Sequence, residues 1–61
     1  GKLRKIRFYY KGANPEPVLD RLPTAEIIEK NDKGYLMTAE VFGSGIDIWI
    51  RSQGDLVEVV E

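Results

Sequence analysis

The 61-residue chain contains no cysteine and no histidine. Without cysteine it can form no disulfide and can offer no thiolate to a metal ion. Without histidine it lacks the commonest metal ligand and the side chain that most often moves protons at neutral pH. We therefore expect a chain that is not an enzyme and that binds no metal ion and no cofactor.

The remaining polar side chains do not replace the missing histidine and cysteine. The Asp and Glu residues number 10 and are scattered, without the spacing of a paired-carboxylate or metal site. Ser44 and Ser52 have no base to activate them, so each is better explained as a helix-capping or helix-end hydroxyl. The run Gly43-Ser44-Gly45 lacks the lysine and third glycine of a phosphate-binding loop and predicts a turn between a strand and a helix. We expect no catalytic residues.

No apolar run is long enough to suggest a signal peptide or a membrane-spanning helix. The hydrophobic fraction is nevertheless 43%, which is enough for a small core. That core is marginal, because a chain of this length buries only about 60% of its unfolded surface. We expect one small domain over residues 1–61, from a cytoplasmic protein since cysteine is absent. Because Gly1 leads directly into a strand-like run, we interpret it as a cloning remnant and the chain as a fragment of a larger protein.

The charge is nearly balanced overall but unevenly distributed. The net charge of −1 gives the chain no general attraction to nucleic acids or membranes. Residues 1–11 contain no acidic side chain, and their basic residues are Lys2, Arg4, Lys5, Arg7 and Lys11. The end of the chain is acidic, with Asp55, Glu58 and Glu61.

Apolar residues that alternate with polar ones predict strands at Leu3–Tyr10, Tyr35–Phe42 and Leu56–Val60, and the apolar centre Ile27-Ile28 predicts another at Thr24–Glu29. The turn Asn31-Asp32-Lys33-Gly34 joins the middle two strands as a hairpin, with a glycine where a positive φ is needed.

Two helices are predicted between the strands. Asn14-Pro15-Glu16 begins a short helix that Pro23 ends. Ile46, Trp49 and Ile50 recur at helical spacing and predict a second helix, which Ser44 caps and Gly54 ends. The β-branched side chains of this segment leave a strand as the competing interpretation.

The resulting β-α-β-β-α-β order predicts an α+β fold of the ferredoxin-like βαββαβ type, a four-stranded antiparallel sheet with two helices on one face. Right-handed crossovers would place the first and third strands at the centre. The predicted core consists of Ile6, Phe8, Met37, Ala39, Val41, Val57, Val18, Leu22, Ile46, Trp49 and Ile50. The open face of the sheet is expected to carry Arg7, Tyr9, Thr38, Glu40 and Glu58.

The candidate ligand or partner contacts are Arg7, Tyr9, Lys11, Arg21 and Glu40. A basic first strand with an exposed tyrosine could bind nucleic acid through phosphate contacts and base stacking, although Glu40 on the same face would repel phosphate. Arg21 lies among apolar residues, where it could reach an anionic group on a neighbouring domain. Trp49 shares the apolar stripe of the second helix, so we expect it in the core and not stacked on a ligand.

Several segments together resemble a known family. They are the stretch Pro17-Val18-Leu19-Asp20-Arg21-Leu22-Pro23-Thr24-Ala25, a following hairpin, and Trp49-Ile50-Arg51-Ser52-Gln53-Gly54-Asp55 before Val57-Glu58-Val59. From about Phe8 to Glu61 the chain is similar to the C-terminal extension of WYL-domain proteins. The segment Trp-x-x-Ser-x-Gly before a short Val/Glu strand is the most specific part of the resemblance.

The resemblance implies a bacterial transcription regulator as the parent protein. Such regulators have an N-terminal helix-turn-helix that binds DNA and a central WYL domain that senses a ligand. Their C-terminal extension has a ferredoxin-like fold, makes dimer contacts and couples sensing to DNA binding. This chain contains neither a helix-turn-helix nor the Trp-Tyr-Leu motif, so none of those functional residues is assigned here.

The implied partners are therefore other domains of the same regulator and a second copy of the chain, with DNA reached only through a helix-turn-helix outside these residues. Two alternatives remain open. One is a stand-alone ligand- or nucleic-acid-binding module that uses the basic first strand. The other is an amino-acid sensor of the ACT type, which only the turn Gly43-Ser44-Gly45 supports.

Overall fold

A computed structural model describes residues 3–43 and 45–60. Its elements are β1 (Leu3–Tyr10), α1 (Glu16–Arg21), β2 (Glu26–Asn31), β3 (Gly34–Phe42), α2 (Gly45–Gln53), a 3-10 helix (Gly54–Leu56) and β4 (Val57–Val59). The strands form one four-stranded antiparallel sheet in the order β2-β3-β1-β4. The predicted α+β class, with a four-stranded antiparallel sheet and two α-helices in the described ranges, is confirmed.

The two central strands are long because their sequences alternate cleanly. On β1 every second residue from Ile6 is buried, and β3 shows the same alternation with Met37, Ala39 and Val41. Phe8 lies directly opposite Met37, and neither side chain has exposed surface. This central pair places the core against one face of the sheet and leaves the other face open.

Helix α1 is a short helix that ends where Pro23 predicts. It begins at Glu16, and the Asn14 side-chain oxygen accepts a hydrogen bond from the Glu16 amide at 3.1 Å. Asn14 was predicted as the cap, but the N-cap position is Pro15, so Asn14 acts from one residue before the observed cap. At the other end, the Leu22 amide donates to the Val18 carbonyl at 2.8 Å, which closes the last turn. Helices this short depend on docking, and here Val18 is buried in the core.

Strand β2 begins two residues later than the predicted Thr24–Glu29 segment, at Glu26. The physical reason is the Thr24 hydroxyl, which donates to the Glu40 carbonyl at 2.7 Å and accepts from the Glu40 amide at 3.0 Å. Before β2 begins, the Thr24 side chain therefore makes the hydrogen bonds to Glu40 that the backbone of a paired strand would make. β2 continues instead to Asn31, which pairs with Gly34 across the turn.

The β2–β3 turn confirms the predicted hairpin. Asp32 and Lys33 form the turn, and the Lys33 amide donates to the Asn31 side-chain oxygen at 2.8 Å. Gly34 follows with φ of +121°, a conformation that side-chain-bearing residues rarely adopt. A Cβ at Gly34 would also lie 2.5 Å from the Tyr10 carbonyl oxygen, so the hairpin packs directly onto the end of β1.

Helix α2 confirms the helical interpretation of residues 46–50. Ile46 and Trp49 are buried, and the Trp49 ring meets Phe8 edge-on, with ring centroids 5.9 Å apart at 70°. Ile50, predicted in the core, is only half-buried and packs against its margin. Gly54 follows the helix with φ of +59°, as its C-terminal position predicts. The predicted cap Ser44 lies outside the described residues.

Strand β4 is shorter than the predicted Leu56–Val60 segment because Gly54–Leu56 turns as a 3-10 helix first. Val57 is buried, whereas Val59 at the strand end is 45% exposed.

The residues of the core are Ile6, Phe8, Tyr10, Val18, Leu22, Ala25, Met37, Ala39, Val41, Ile46, Trp49 and Val57. Both helices therefore pack into one core with β1, β3 and β4. Across residues 3–43 and 45–60, no helix has the length and apolar character needed to cross a bilayer.

Candidate functional site

The open face of the sheet carries three of the five predicted contact residues. Arg7 on β1 is exposed and lies opposite Thr38 on β3, and Tyr9 lies opposite Leu36. Glu40 is also exposed and lies opposite Lys5 in the same register. Directly opposite residues in an antiparallel pair point to the same side, so these groups share one surface.

The Tyr9 ring is already engaged within the molecule. It is half-buried, and the Lys33 ammonium lies 5.6 Å from its ring centroid. This cation–π contact is worth on the order of 0.5–1 kcal/mol at exposed sites. A base that stacked on this ring would therefore compete with Lys33.

Lys11 is also paired within the molecule. Its ammonium lies 2.9 Å from a carboxylate oxygen of Glu58 on β4. The hydrogen bond from Lys11 is the main cause that lowers the pKa of Glu58, and the positive charge of Lys11 lowers it further. Desolvation raises the pKa of Glu58 by less than Lys11 lowers it, and the charge of Lys33 is the smallest contribution and lowers it. The charge of Lys11 is thus locally balanced.

Lys11 nevertheless belongs to a basic groove that sequence reasoning missed. Lys11, Lys30 and Lys33 all line an open groove of about 530 Å³ at the end of the sheet that carries the β2–β3 turn. The Lys30 ammonium lies 5.4 Å from the Tyr35 ring centroid. Asp32 and Glu58 also line the groove and reduce its positive charge. The only sequence signal was the pair of lysines at the hairpin, Lys30 near the end of β2 and Lys33 in the turn.

Acidic residues offset the basic ones on the open face itself. Glu26 lies opposite Thr38, and Glu29 lies opposite Leu36. With Glu40 and Glu58, these carboxylates share the open face with Arg7 and Tyr9, which were predicted to contact phosphate and to stack on bases. The face therefore has mixed charge, which suits contact with another protein surface better than contact with a nucleic-acid backbone.

The outer edge of β4 presents unpaired backbone and apolar side chains. The Lys11 amide donates to the Leu56 carbonyl at 2.7 Å, and the Val60 amide donates to the Arg7 carbonyl at 2.8 Å. Because backbone groups alternate in direction along a strand, the amide and carbonyl groups of Val57 and Val59 point away from the sheet. Beside them, the exposed fractions of Leu56, Val59 and Val60 are 43%, 45% and 51%. We name Leu56, Val57, Val59 and Val60 the β4 edge.

Arg21 is not brought together with the other predicted contact residues. It is exposed at the end of α1, on the helical side of the sheet, and lines a small pocket of about 200 Å³. The predicted contact set is thus divided between the open face, the basic groove and this pocket.

The described part of the chain contains no group of three or more acidic residues arranged to hold a metal ion. In the same part, every buried side-chain nitrogen and oxygen has a hydrogen-bond partner.

No protein-family model, no curated protein and no solved structure matches this chain.

Proposed function

We propose that this chain is an accessory regulatory and oligomerisation domain of a WYL-type transcription regulator of the bacterial cytoplasm. It would act by contacts between protein surfaces and not by catalysis. The resemblance of residues 17–25 and 49–59 to the C-terminal extension of those regulators supports the proposal. The strand order, read from the other edge as β4-β1-β3-β2, supports a ferredoxin-like assignment, with the 3-10 helix before β4 as an addition to it.

The observation that carries the proposal is the β4 edge. A strand edge with outward-pointing backbone groups and exposed apolar side chains readily pairs with another chain. Isolated exposed apolar residues are common on protein surfaces. Here, however, Val59 lies in a short strand whose outer backbone is open, and Leu56 and Val60 flank that strand. The edge therefore offers both hydrogen bonds and apolar contact to a partner.

The partner that we propose is a second copy of the chain. Two β4 edges related by a two-fold axis would run antiparallel, with Val57 of one copy opposite Val59 of the other. Each such pair exchanges its outward amide and carbonyl groups in reciprocal hydrogen bonds. The two Glu58 side chains would meet near the axis, and the Lys11 ammonium 2.9 Å from each carboxylate offsets their repulsion.

The experiment is sedimentation equilibrium of the 61-residue chain from micromolar to millimolar concentration. We expect a monomer–dimer equilibrium for the parent chain and a monomer for Val59→Lys, which places a charge in the apolar contact. The control is Ile48→Lys, since Ile48 is also exposed but lies on α2. A strict monomer at millimolar concentration, or a dimer that Val59→Lys leaves intact, would contradict the proposed contact.

The parent protein has its own test in the gene. Sequence upstream of the codon for Gly1 should encode a helix-turn-helix followed by a Trp-Tyr-Leu segment. If neither is encoded there, the assignment to a WYL-type regulator is wrong, whatever the oligomeric state of this chain.

The second candidate function is binding of a nucleic acid or another anionic ligand, and the basic groove favours it. Titration with a single-stranded oligonucleotide at low and high salt tests it, because phosphate contacts release counterions and weaken with salt. We would expect Arg7→Ala combined with Tyr9→Ala to weaken binding through the open face, and Lys30→Ala combined with Lys33→Ala to weaken binding through the groove. Arg51→Ala, at an exposed position of α2, is the matched control. Salt-independent binding, or binding that both double variants retain, eliminates this candidate.

A further inference from the structure

A small apolar pocket opens where the end of α1 meets α2 and the end of β3. Its volume is about 200 Å³. Leu22, Val41, Ile46 and Trp49 line it, and each of them is buried in the core. The pocket is therefore a surface opening onto the side chains that also hold the fold together. Because those side chains are fixed by core packing, the pocket is preformed.

The rim of the pocket has a different chemistry from its interior. Phe42 at the end of β3 contributes to the lining, but it follows the buried Val41 and is 69% exposed, so its ring lies on the other side of the strand and not inside the pocket. Arg21 is the only charged residue among the described residues that line the pocket. The end of α1 thus holds a guanidinium at the mouth of an apolar site.

Size and charge together restrict the ligand. An apolar cavity of about 150 Å³ is large enough to bind benzene, so this pocket has room for one six-membered ring and a short substituent. A guanidinium forms its best-matched hydrogen bonds with a carboxylate, which it can bind through two parallel N–H groups. A neutral apolar molecule would leave that guanidinium unused, and a cationic one would be repelled by it.

We infer that this pocket binds a small monocarboxylic acid whose apolar part is about one ring in size. The apolar part lies against Ile46 and Trp49, and the carboxylate lies on Arg21. The site uses no residue of the β4 edge, so it stands whether or not the chain forms a dimer.

The fluorescence of Trp49 measures ligand binding directly, because Trp49 lines the pocket and is the only tryptophan of the chain. The probe is phenylacetate, and phenylacetamide and phenethylamine are its neutral and cationic counterparts of similar shape. We expect phenylacetate to change the Trp49 fluorescence with saturation in the micromolar-to-millimolar range. Phenylacetamide should bind about tenfold more weakly, since it loses one charge-assisted interaction, and phenethylamine should bind most weakly.

One variant and two controls locate the site. Arg21→Gln should weaken phenylacetate binding about tenfold and leave phenylacetamide binding unchanged, because Arg21 contacts only the carboxylate. Phe42→Ala should change neither affinity by more than about twofold, since the ring lies on the other side of β3. Arg51→Gln should change neither, since Arg51 is exposed on α2 outside the pocket lining.

Amide NMR spectra provide an independent location, with the largest shifts expected at Ile46 and at the indole N–H of Trp49. Absence of fluorescence and NMR changes up to the solubility limit of phenylacetate would overturn the inference. Equal phenylacetate affinity in Arg21→Gln and the parent chain would overturn it as well, as would NMR shifts confined to the basic groove. The dimer test described above does not depend on any of these results.

Discussion

Substitution of Gly34 by alanine is the sharpest test of how the hairpin packs onto β1. Gly34 has φ of +121°, and a Cβ at this position would lie 2.5 Å from the Tyr10 carbonyl oxygen. The contact is with backbone, so a side-chain rotation cannot relieve it. The variant must shift either the turn or the end of β1, and β1 is a central strand of the sheet.

The expected loss is large for a domain of this size. The disfavoured φ costs about 1–2 kcal/mol for a residue with a Cβ. Relief of the backbone collision adds strain of similar size, so the total is about 2–4 kcal/mol. A small core such as this one rarely supplies more than about 3–5 kcal/mol of net stability. Gly34→Ala should therefore remove half or more of the free energy of unfolding.

Urea unfolding followed by Trp49 fluorescence and far-ultraviolet circular dichroism measures this loss. With an m-value of about 1 kcal/mol/M, the midpoint should fall by about 2–4 M, or the variant should be unfolded without urea. Two alanine substitutions are matched controls. Gly54 has φ of +59° and open space around it, so its variant should lose about 1 kcal/mol.

Gly45 has neither a positive φ nor a neighbour within 4 Å of the added Cβ, so Gly45→Ala should be neutral or slightly stabilising. The order of midpoints should be Gly45→Ala, then Gly54→Ala, then Gly34→Ala. If Gly34→Ala unfolds at the same midpoint as Gly54→Ala, the close approach of the hairpin to Tyr10 is refuted.

Two further predictions concern the core and the Lys11–Glu58 pair. Phe8→Ala should cost about 3–5 kcal/mol and leave little or no folded protein by circular dichroism, whereas Ile48→Ala, at an exposed site, should stay within about 0.5 kcal/mol of the parent. Because Lys11 lowers the pKa of Glu58 in the folded chain, the pair stabilises the fold above the unfolded pKa of about 4.3, and this contribution is lost as the pH falls through the folded pKa. Lys11→Gln should flatten the acid limb of a plot of urea midpoint against pH, and an unchanged limb would contradict the pairing.

The elements that the sequence predicted well are those whose local pattern agrees with their packing. β1 has the predicted bounds, and its period-two pattern from Ile6 to Tyr10 is also its pattern of burial. Trp49 and Ile46 also keep their predicted helical arrangement, since the bounding glycines and the apolar stripe agree. At these places local preference and tertiary packing favour the same conformation.

The strand ends were predicted less well because non-local partners determine them. The start of β2 depends on Thr24, whose hydroxyl pairs with the backbone of Glu40 sixteen positions along the chain. The start of β4 depends on the 3-10 helix Gly54–Leu56, whose Leu56 carbonyl accepts a hydrogen bond from the distant Lys11 amide at 2.7 Å. A propensity pattern read along the chain contains neither interaction.

In the candidate sites, too, local pattern placed some residues correctly, and only packing between distant segments brought the others together. Arg7, Tyr9 and Glu40 were placed on the open face from alternation alone, and that is where they lie. The groove was missed because Lys30 and Lys33 come from a hairpin whose end meets Lys11 only after β1 and β3 pair. The pocket at Arg21 likewise needs α1, α2 and β3 together before its shape exists.

The sequence by itself determined the absence of histidine and cysteine chemistry, the period of each element and the position of the turn glycine Gly34. These are properties of single residues and of their nearest neighbours. Only the tertiary structure decided which apolar residues stay exposed at the β4 edge and which cations share a groove. Those outcomes depend on strand order and packing between distant segments, and such contacts are formed by the folded chain as a whole.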